Sequence, residues 1–550
     1  MNKVLKSAIS VLMALALVLS TGTAVITSHA AEGTAEIKSI ADVPADLSGK
    51  TIILHTNDVH GAVGRYPYIA SVKQNFQNRG ADVILVDAGD FSQGTTFVST
   101  TKGLDAITSM NVARYDIITV GNHEFDYGLT QLKANLAVAR FTTVCSNVFD
   151  ANGNSVFTPN TMYTTTSGLK IGFFGLLTPE TQTKSNPVYV NGLSFKGKND
   201  LYACGQTQTD TLKAQGADLI VCLAHLGVDS EAIKDGSSSV QLYKNTKGID
   251  LVIDGHSHTV MSAKDMTLPI TSTGTKLQTI GVVVIDNAKK AVEDSYLLNY
   301  DKLQPEVITD AVTNAIIKRV EKEYGTTFAK SEVELCGEKA PGNRTEETNM
   351  GNLVSDAIRW TVLKDSKSVT VDPLHVIALT NGGGIRAPIK AGFVSKNDIN
   401  TVLPFGNTVT VVYVTGEQLL EALEASTFCT PEQVGGFPQT SGIKFTIDTK
   451  KSFAAGAAYP GSTYHKPASI GRVTIESVNG QPFSKTDTYA VVTNNFVSVG
   501  GDTYYCFSSS GTSFDTGIPL DEAVIDYIIT ELHGVIGSQY AVPRGDITIK

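Results

Sequence analysis

Between residues 51 and 285, six short apolar runs (51–54, 83–86, 117–120, 171–177, 219–223 and 251–253) alternate with polar stretches that can form helices. The runs are rich in β-branched residues and lack the polar–apolar alternation of a half-exposed strand, so each reads as a strand covered on both faces. An α/β domain supplies two covered faces, and on the residues alone a single open sheet is its simplest form. Such a sheet has a direction, because ligands gather in the loops beyond the strands' carboxyl ends. Five of the six runs are followed within a few residues by Asp, Asn or His. Five loops are thereby marked for chemistry.

The chain is 550 residues long, too long for one ordinary core, so two domains of roughly 200 to 300 residues are expected. The first spans 48–305. Residues 310–324, within a joining segment 306–330, carry Val312, Ile316, Ile317, Val320 and Tyr324 at helical spacing, with Gly325 able to end the helix. From 331 to 550 the texture becomes mixed α+β, with a helix over 349–363 and strand-like runs at 409–414 and 490–493. The small-residue stretch 454–461 reads as a loop.

Lys3 and Lys6 precede an apolar run over about 8–19, and Ser28-His29-Ala30 has the small-x-small pattern of a cleavage site. Residues 1–30 therefore read as a signal peptide cut near Ala30, and the protein as exported: extracellular, cell-wall associated or periplasmic. The run is shorter than the roughly 20 residues a membrane span needs, and no later segment qualifies. Losing Lys3 and Lys6 takes the net charge from −10 to −12, which disfavours a nucleic acid polymer as partner. Six cysteines (Cys145, Cys204, Cys222, Cys336, Cys429 and Cys506) are too sparse for a disulfide framework, though an exported chain allows one or two bridges.

The marked loops read Asp58-Val59-His60-Gly61, Gly89-Asp90-Phe91, Gly121-Asn122-His123-Glu124, Ala224-His225-Leu226-Gly227 and Gly255-His256-Ser257-His258. Mixed carboxylate, amide and imidazole donors suit Zn²⁺, Mn²⁺ or Fe, and no thiolate is present to make a soft site. Asp58/His60 and His256/His258 are i, i+2 pairs just beyond a strand, where flanking glycines permit a turn that sends both side chains one way. One such histidine alone would read as a surface or hydrogen-bonded core imidazole. Five of the chain's ten histidines fall in these loops, in company with Asp58, Asp90 and Asn122.

N-D-V-H-G, G-D-F-S-Q-G, G-N-H-E-F-D, A-H-L-G and G-H-S-H, in that order, resemble the motif set of the calcineurin-like metallophosphoesterases. The resemblance implies a two-layer β-sandwich flanked by helices, a four-layer αββα domain. It implies a pair of divalent metal ions, Zn or Mn first, with Mg, Co or Fe as alternatives. Asp58, His60, Asp90 and His258 would hold one ion, and Asp90, Asn122, His225 and His256 the other, with Asp90 as bridge. Two ions roughly 3.5 to 4 Å apart suit in-line phosphoryl displacement, with a metal-bound hydroxide as nucleophile. His123 would stabilise charge on the phosphoryl group and Asp126 would orient it; the other reading of Asp126 is a cap for the helix that follows.

In the second half, Asn381-Gly382-Gly383-Gly384-Ile385-Arg386 combines close backbone approach with a guanidinium suited to phosphate. Phe405 in L-P-F-G-N and Phe496 in N-N-F-V-S-V-G-G-D stand among turn residues, where two rings could clamp a base or simply pack a core. These segments, with Arg344, Asn349-Met350-Gly351-Asn352 and Ser441-Gly442-Ile443, resemble the C-terminal domain of the bacterial 5′-nucleotidase and UDP-sugar hydrolase family. The resemblance implies an α/β metallophosphoesterase domain joined by a helix to a mixed α+β nucleotide-binding domain. Phe405 and Phe496 would sandwich the base and Asp502 would hold ribose hydroxyls. Arg344, Asn381 and Arg386 would contact the nucleotide, and Asn407 and Gly442 would line the base pocket. Some members carry a second arginine where this chain has Thr348, which leaves substrate preference open. The expectation is thus an exported dimetal 5′-nucleotidase, with the joining helix as hinge and turnover limited by domain motion. A UDP-sugar hydrolase or a 2′,3′-cyclic-nucleotide phosphodiesterase/3′-nucleotidase is the alternative within the class. A secreted nucleotide-binding surface protein with little catalysis is the alternative outside it, and the intact ligand set stands against it.

Overall fold

The computed structural model describes residues 35–264, 267–364, 369–510 and 513–550; the expected signal peptide, 1–30, lies outside the described residues. The six apolar runs become β1 (Lys50–Thr56), β2 (Asp82–Asp87), β3 (Ile117–Ile118), β4 (Lys170–Leu177), β5 (Leu219–His225) and β6 (Leu251–Asp254). They divide between two sheets. β1, β2 and β3 are parallel neighbours, with Leu54 opposite Leu85 and Val86 opposite Ile117. With β7 (Ile280–Asp286), β8 (Ala291–Leu298) and two short edge strands they form a seven-stranded sheet. β4, β5 and β6, also parallel, lie at the centre of a six-stranded one.

The single open sheet suggested by the residues alone is therefore wrong, and the sandwich implied by the resemblance is right. Ile53, Ile84 and Val86 of one sheet pack against Phe173, Val221 and Leu223 of the other. Ile52, Leu54 and Leu85 face outward, under α1 (Tyr66–Asn78) and α2 (Leu104–Ala113). α3 (Lys198–Ala214) covers the far sheet through Leu201 and Leu212. A strand covered by helices on both faces and one covered by a helix and a second sheet have the same all-apolar sequence, which is why the runs did not tell the two apart. Each such side chain, wholly buried, contributes roughly 1.5–3 kcal/mol.

The joining helix, α4 (Val307–Tyr324), starts three residues before the expected 310 because Glu306 caps it, accepting from the N–H groups of Ile308 and Thr309. It lies along the N-terminal lobe: Ile317 packs on that lobe's core, Thr309 Oγ1 donates to Val112 O at 3.3 Å, and Arg319 pairs with Asp105.

In the C-terminal lobe a five-stranded mixed sheet contains β9 (Val376–Asn381), β10 (Thr408–Thr415), β11 (Pro438–Ser441) and β12 (Thr488–Asn494). α5 (Asn349–Leu363) and α7 (Leu520–Thr530) cover one face; α6 (Gly416–Ser426) and a small three-stranded sheet cover the other. The stretch 454–461, read as a loop, instead holds the strand Ala455–Ala458, paired with His465–Pro467. Its glycine and alanines carry no apolar period to reveal it. All six cysteines are free, so the one or two bridges allowed for an exported chain are absent. No helix among the described residues is long and apolar enough to cross a membrane.

Candidate metal centre and substrate cavity

Three of the five marked loops leave their strands through an unusual backbone conformation. Asp58, His60, Asp90, His256 and His258 have φ of 49°, 44°, 62°, 77° and 57°, a region costing an ordinary residue roughly 1–3 kcal/mol and found most often at functional sites. The turns bring the side chains of five loops together. His258 Nε2 lies 3.1 Å from His60 Nε2 and 3.4 Å from Asp58 Oδ1. In the second cluster His225 Nε2 lies 3.1 Å from Asp90 Oδ2, and His256 Nδ1 lies 3.0 Å from Asn122 Oδ1. Asp90 Oδ2 is also 3.9 Å from His60 Nε2, which places this carboxylate between the clusters.

The surrounding hydrogen bonds aim these donors inward, as outer partners of metal ligands do. His225 Nδ1 donates to Ala88 O at 2.7 Å, and its buried Nε2 faces the Asp90 carboxylate; burial lowers the His225 pKa, but the Asp90 charge outweighs it and raises it to about 10. His60 Nδ1 faces Gln93 O at 3.1 Å, and His256 Nε2 faces Glu180 Oε2 at 2.9 Å. Burial and the neighbouring Arg386 push the His60 pKa well down, and burial with Lys339 does the same to His258, so both imidazoles are neutral, the form that coordinates a cation. Burial would push the Asp90 carboxyl up, but His225 and His123 hold it well below the usual range. Neutral imidazoles at His60 and His258, an imidazole nitrogen of His225 aimed at Asp90, and an ionised carboxylate between two clusters fit a pair of divalent ions.

Glu124 is the residue the sequence reading missed. Its carboxylate accepts from the backbone N–H groups of Asp90, Phe91, Ser92 and Gly121 at 2.6–3.0 Å, tying two of the loops into one unit. His123 stands beside them, its backbone N–H donating to Asp90 Oδ1 at 2.9 Å and its Nδ1 2.7 Å from Asp126 Oδ2. Asp126 does not cap the next helix, whose N-cap is Tyr127; it faces His123. Burial raises the Asp126 pKa and His123 opposes the rise.

A cavity opens over this centre, walled by both lobes. From the N-terminal lobe it is lined by Asp90, Asn122, His123, Asp126, His256 and His258. Arg344, Asn381, Arg386, Phe405, Asn407, Phe496 and Asp502 line it from the C-terminal lobe. Arg386 Cζ is 5.6 Å from the Phe405 ring, whose centroid is 5.5 Å from that of His123. Asn381 Nδ2 donates to Asp502 Oδ2 at 2.8 Å. Gly442 does not belong here. It turns the chain from β11 into the strand Ile443–Ile447, against Asn479 and Arg359, and Gly435 lines the cavity instead. Thr348 faces inward too, its hydroxyl capping α5 and bonding Asn343. The reading also missed Lys184, Asp229, Glu231 and Lys339, all in the wall. Lys339, Arg344 and Arg386 make no ion pair with a carboxylate among the described residues.

Two helix-flanked sheets with oxygen and nitrogen donors gathered at their strand ends define a metal-dependent phosphoester hydrolase. The family model described as calcineurin-like phosphoesterase matches residues 51–260, and that of the 5′-nucleotidase C-terminal domain matches 327–509. The chain belongs to the 5′-nucleotidase family. It is 30% identical over 92% of its length to the trifunctional nucleotide phosphoesterase protein YfkN of Bacillus subtilis, of whose length it spans only 35%. It is 28% identical to the snake venom 5′-nucleotidase of Crotalus adamanteus, covering 86% of this chain and 85% of that one. Its fold is similar to the crystal structure of a 5′-nucleotidase precursor from Thermus thermophilus, at 26% identity and a TM-score of 0.75, covering 91% of this chain and 99% of that one.

Proposed function

We propose that this protein is an exported 5′-nucleotidase that hydrolyses nucleoside 5′-phosphates to nucleoside and phosphate. The observation that carries the reading is one cavity with a metal-ligand set on one wall and aromatic and cationic side chains on the other. Arg344 and Arg386 would pair with phosphate oxygens as guanidinium forks, and Lys339 adds a third charge. Phe405 and Phe496 would take the base between them, each stack contributing about 1–3 kcal/mol with little regard to base identity. Asp502, held by Asn381, would accept from ribose hydroxyls. His123, backed by Asp126, would donate to the phosphoryl oxygen where charge develops.

Bound in the two clusters, divalent ions such as Zn²⁺ or Mn²⁺ would supply a water of lowered pKa and neutralise phosphate oxygens. Asp58, His60, Asp90 and His258 would hold one, and Asp90, Asn122, His225 and His256 the other. A relative named a trifunctional nucleotide phosphoesterase keeps UDP-sugar and 2′,3′-cyclic-nucleotide hydrolysis as the second reading. Phosphate release from AMP, UMP, ATP, UDP-glucose and 2′,3′-cyclic AMP tests both. AMP or UMP should lead, with activity lost on chelation and restored by Mn²⁺ or Zn²⁺. Turnover of phosphate esters that carry no nucleoside, with none of the nucleotides cleaved, would refute the nucleotide part.

A further inference from the structure

Away from the three unpaired cations the cavity wall is acidic, and a single ammonium sits in it. Lys184 ends the short helix Thr181–Lys184 of the N-terminal lobe, with its side chain 11% exposed. Its Nζ donates to Glu231 Oε1 at 2.9 Å, within the same lobe, and lies 4.0 Å from Asp502 Oδ1 of the other lobe. Tyr464 of the C-terminal lobe donates its hydroxyl to the same Glu231 oxygen at 2.6 Å. The Asp502 backbone N–H donates to Thr183 O, one residue before Lys184, at 2.9 Å. Both lobes therefore close on this lysine.

Two buried carboxylates sharing a site repel, and one of them tends to take up a proton. Burial pushes the Asp502 carboxyl up, and Lys184 is the strongest influence against that. An ionised Asp502 can only accept hydrogen bonds, which matches a pair of sugar hydroxyls; a protonated one would compete with them as a donor. Asn381 holds one Asp502 oxygen and Lys184 stands nearer the other. We infer that Lys184 is a specificity-determining residue that reaches across the seam to hold Asp502 ionised and oriented for the sugar, so favouring nucleosidic phosphates over sugarless esters. The inference rests on the nucleotide reading above, because it places a ribose at Asp502.

The rival role is structural. Glu180, one helical turn before Lys184, faces the ligand His256, so a lysine that merely supported the metal loops would slow every ester alike. The experiment compares kcat and KM for AMP and for p-nitrophenyl phosphate, in Mn²⁺, across wild type, Lys184→Met, Lys184→Arg and Tyr464→Phe. Lys184→Met should lower the ratio of kcat/KM for AMP to that for p-nitrophenyl phosphate about tenfold or more, chiefly through KM. Lys184→Arg should restore most of the ratio, and Tyr464→Phe should shift it the same way by less. A wild-type ratio in Lys184→Met, or equal loss on both esters, overturns the inference. Should Lys184→Met not fold, an unaltered ratio in Tyr464→Phe overturns it instead. A wild-type enzyme that cleaves p-nitrophenyl phosphate and no nucleotide defeats the nucleotide reading and the inference with it, whereas a wild-type preference for AMP that Lys184→Met retains defeats the inference alone.

Discussion

Asp90 stands between the two clusters. One oxygen lies 3.1 Å from His225 Nε2 and 3.9 Å from His60 Nε2, and the other accepts from the His123 backbone N–H. Asp90→Asn keeps the shape and removes the charge between the clusters. It should cut kcat/KM by about a thousandfold, or roughly 4 kcal/mol, with metal content per chain falling from two as measured by elemental analysis. His123→Ala should leave both ions bound and lower kcat about 10²–10³-fold with KM little altered. Asp90, His123 and their fellows were legible because each stands in a short motif just past an apolar run. Glu124 was not: a carboxylate that accepts four backbone N–H groups looks, in sequence, like any glutamate beside a histidine. Lys339 was equally silent, five residues before Arg344 in a turn-rich segment, yet it carries a testable pH dependence. Burial and Arg344 push its ammonium down to about 7. Below that pH it is charged and attracts phosphate; above it the charge is lost. KM for AMP should therefore rise as pH climbs through about 7, and Lys339→Met should raise KM at low pH and flatten that part of the profile.

Among the elements, strands and loops were legible to different depths. The helix α5 appears over the expected 349–363 because its apolar spacing and its cap, Thr348, are both written locally. α4 began early because a glutamate, a less usual cap, starts it. The pairing of β1–β3 in one sheet and β4–β6 in another depends on which covered face meets which, and no local pattern records that. Loop geometry lies between these cases: glycines announced turns, but the left-handed backbone of Asp58, His60, Asp90, His256 and His258 is imposed by packing. Gly121 shows how tight that packing is. A Cβ there would stand 2.2 Å from Asp90 Oδ1 and 2.7 Å from Asp90 N, a clash no rotamer relieves because the chain on both sides is fixed by Glu124. Gly121→Ala should destabilise the N-terminal lobe by about 1–3 kcal/mol and displace the Asp90 loop. The expected signature is loss of metal and activity with the far-ultraviolet circular dichroism retained.

At the scale of the molecule, residues about 300 apart in sequence meet in the seam between lobes, where Ser99 Oγ donates to Asn400 Oδ1 at 3.2 Å and Lys184 approaches Asp502. Contacts of that span leave no trace in sequence, so the cavity's acidic wall was invisible although each lobe was recognisable. The division of labour between the lobes nevertheless makes a prediction about the whole chain. All seven expected metal ligands lie in the N-terminal lobe, whereas the residues expected to hold base and sugar lie in the C-terminal lobe. A ligand that binds only the folded state stabilises it by about 2.7 kcal/mol at a hundredfold excess over Kd. Mn²⁺ or Zn²⁺ should thus raise the melting temperature of the chelated protein, and Asp90→Asn should abolish that rise. Adenosine, which has no phosphate to reach the clusters, should raise it with or without metal, and Phe496→Ala should remove the adenosine effect while sparing the metal effect. If adenosine stabilised only the metal-loaded protein, base and sugar recognition would depend on the metal clusters.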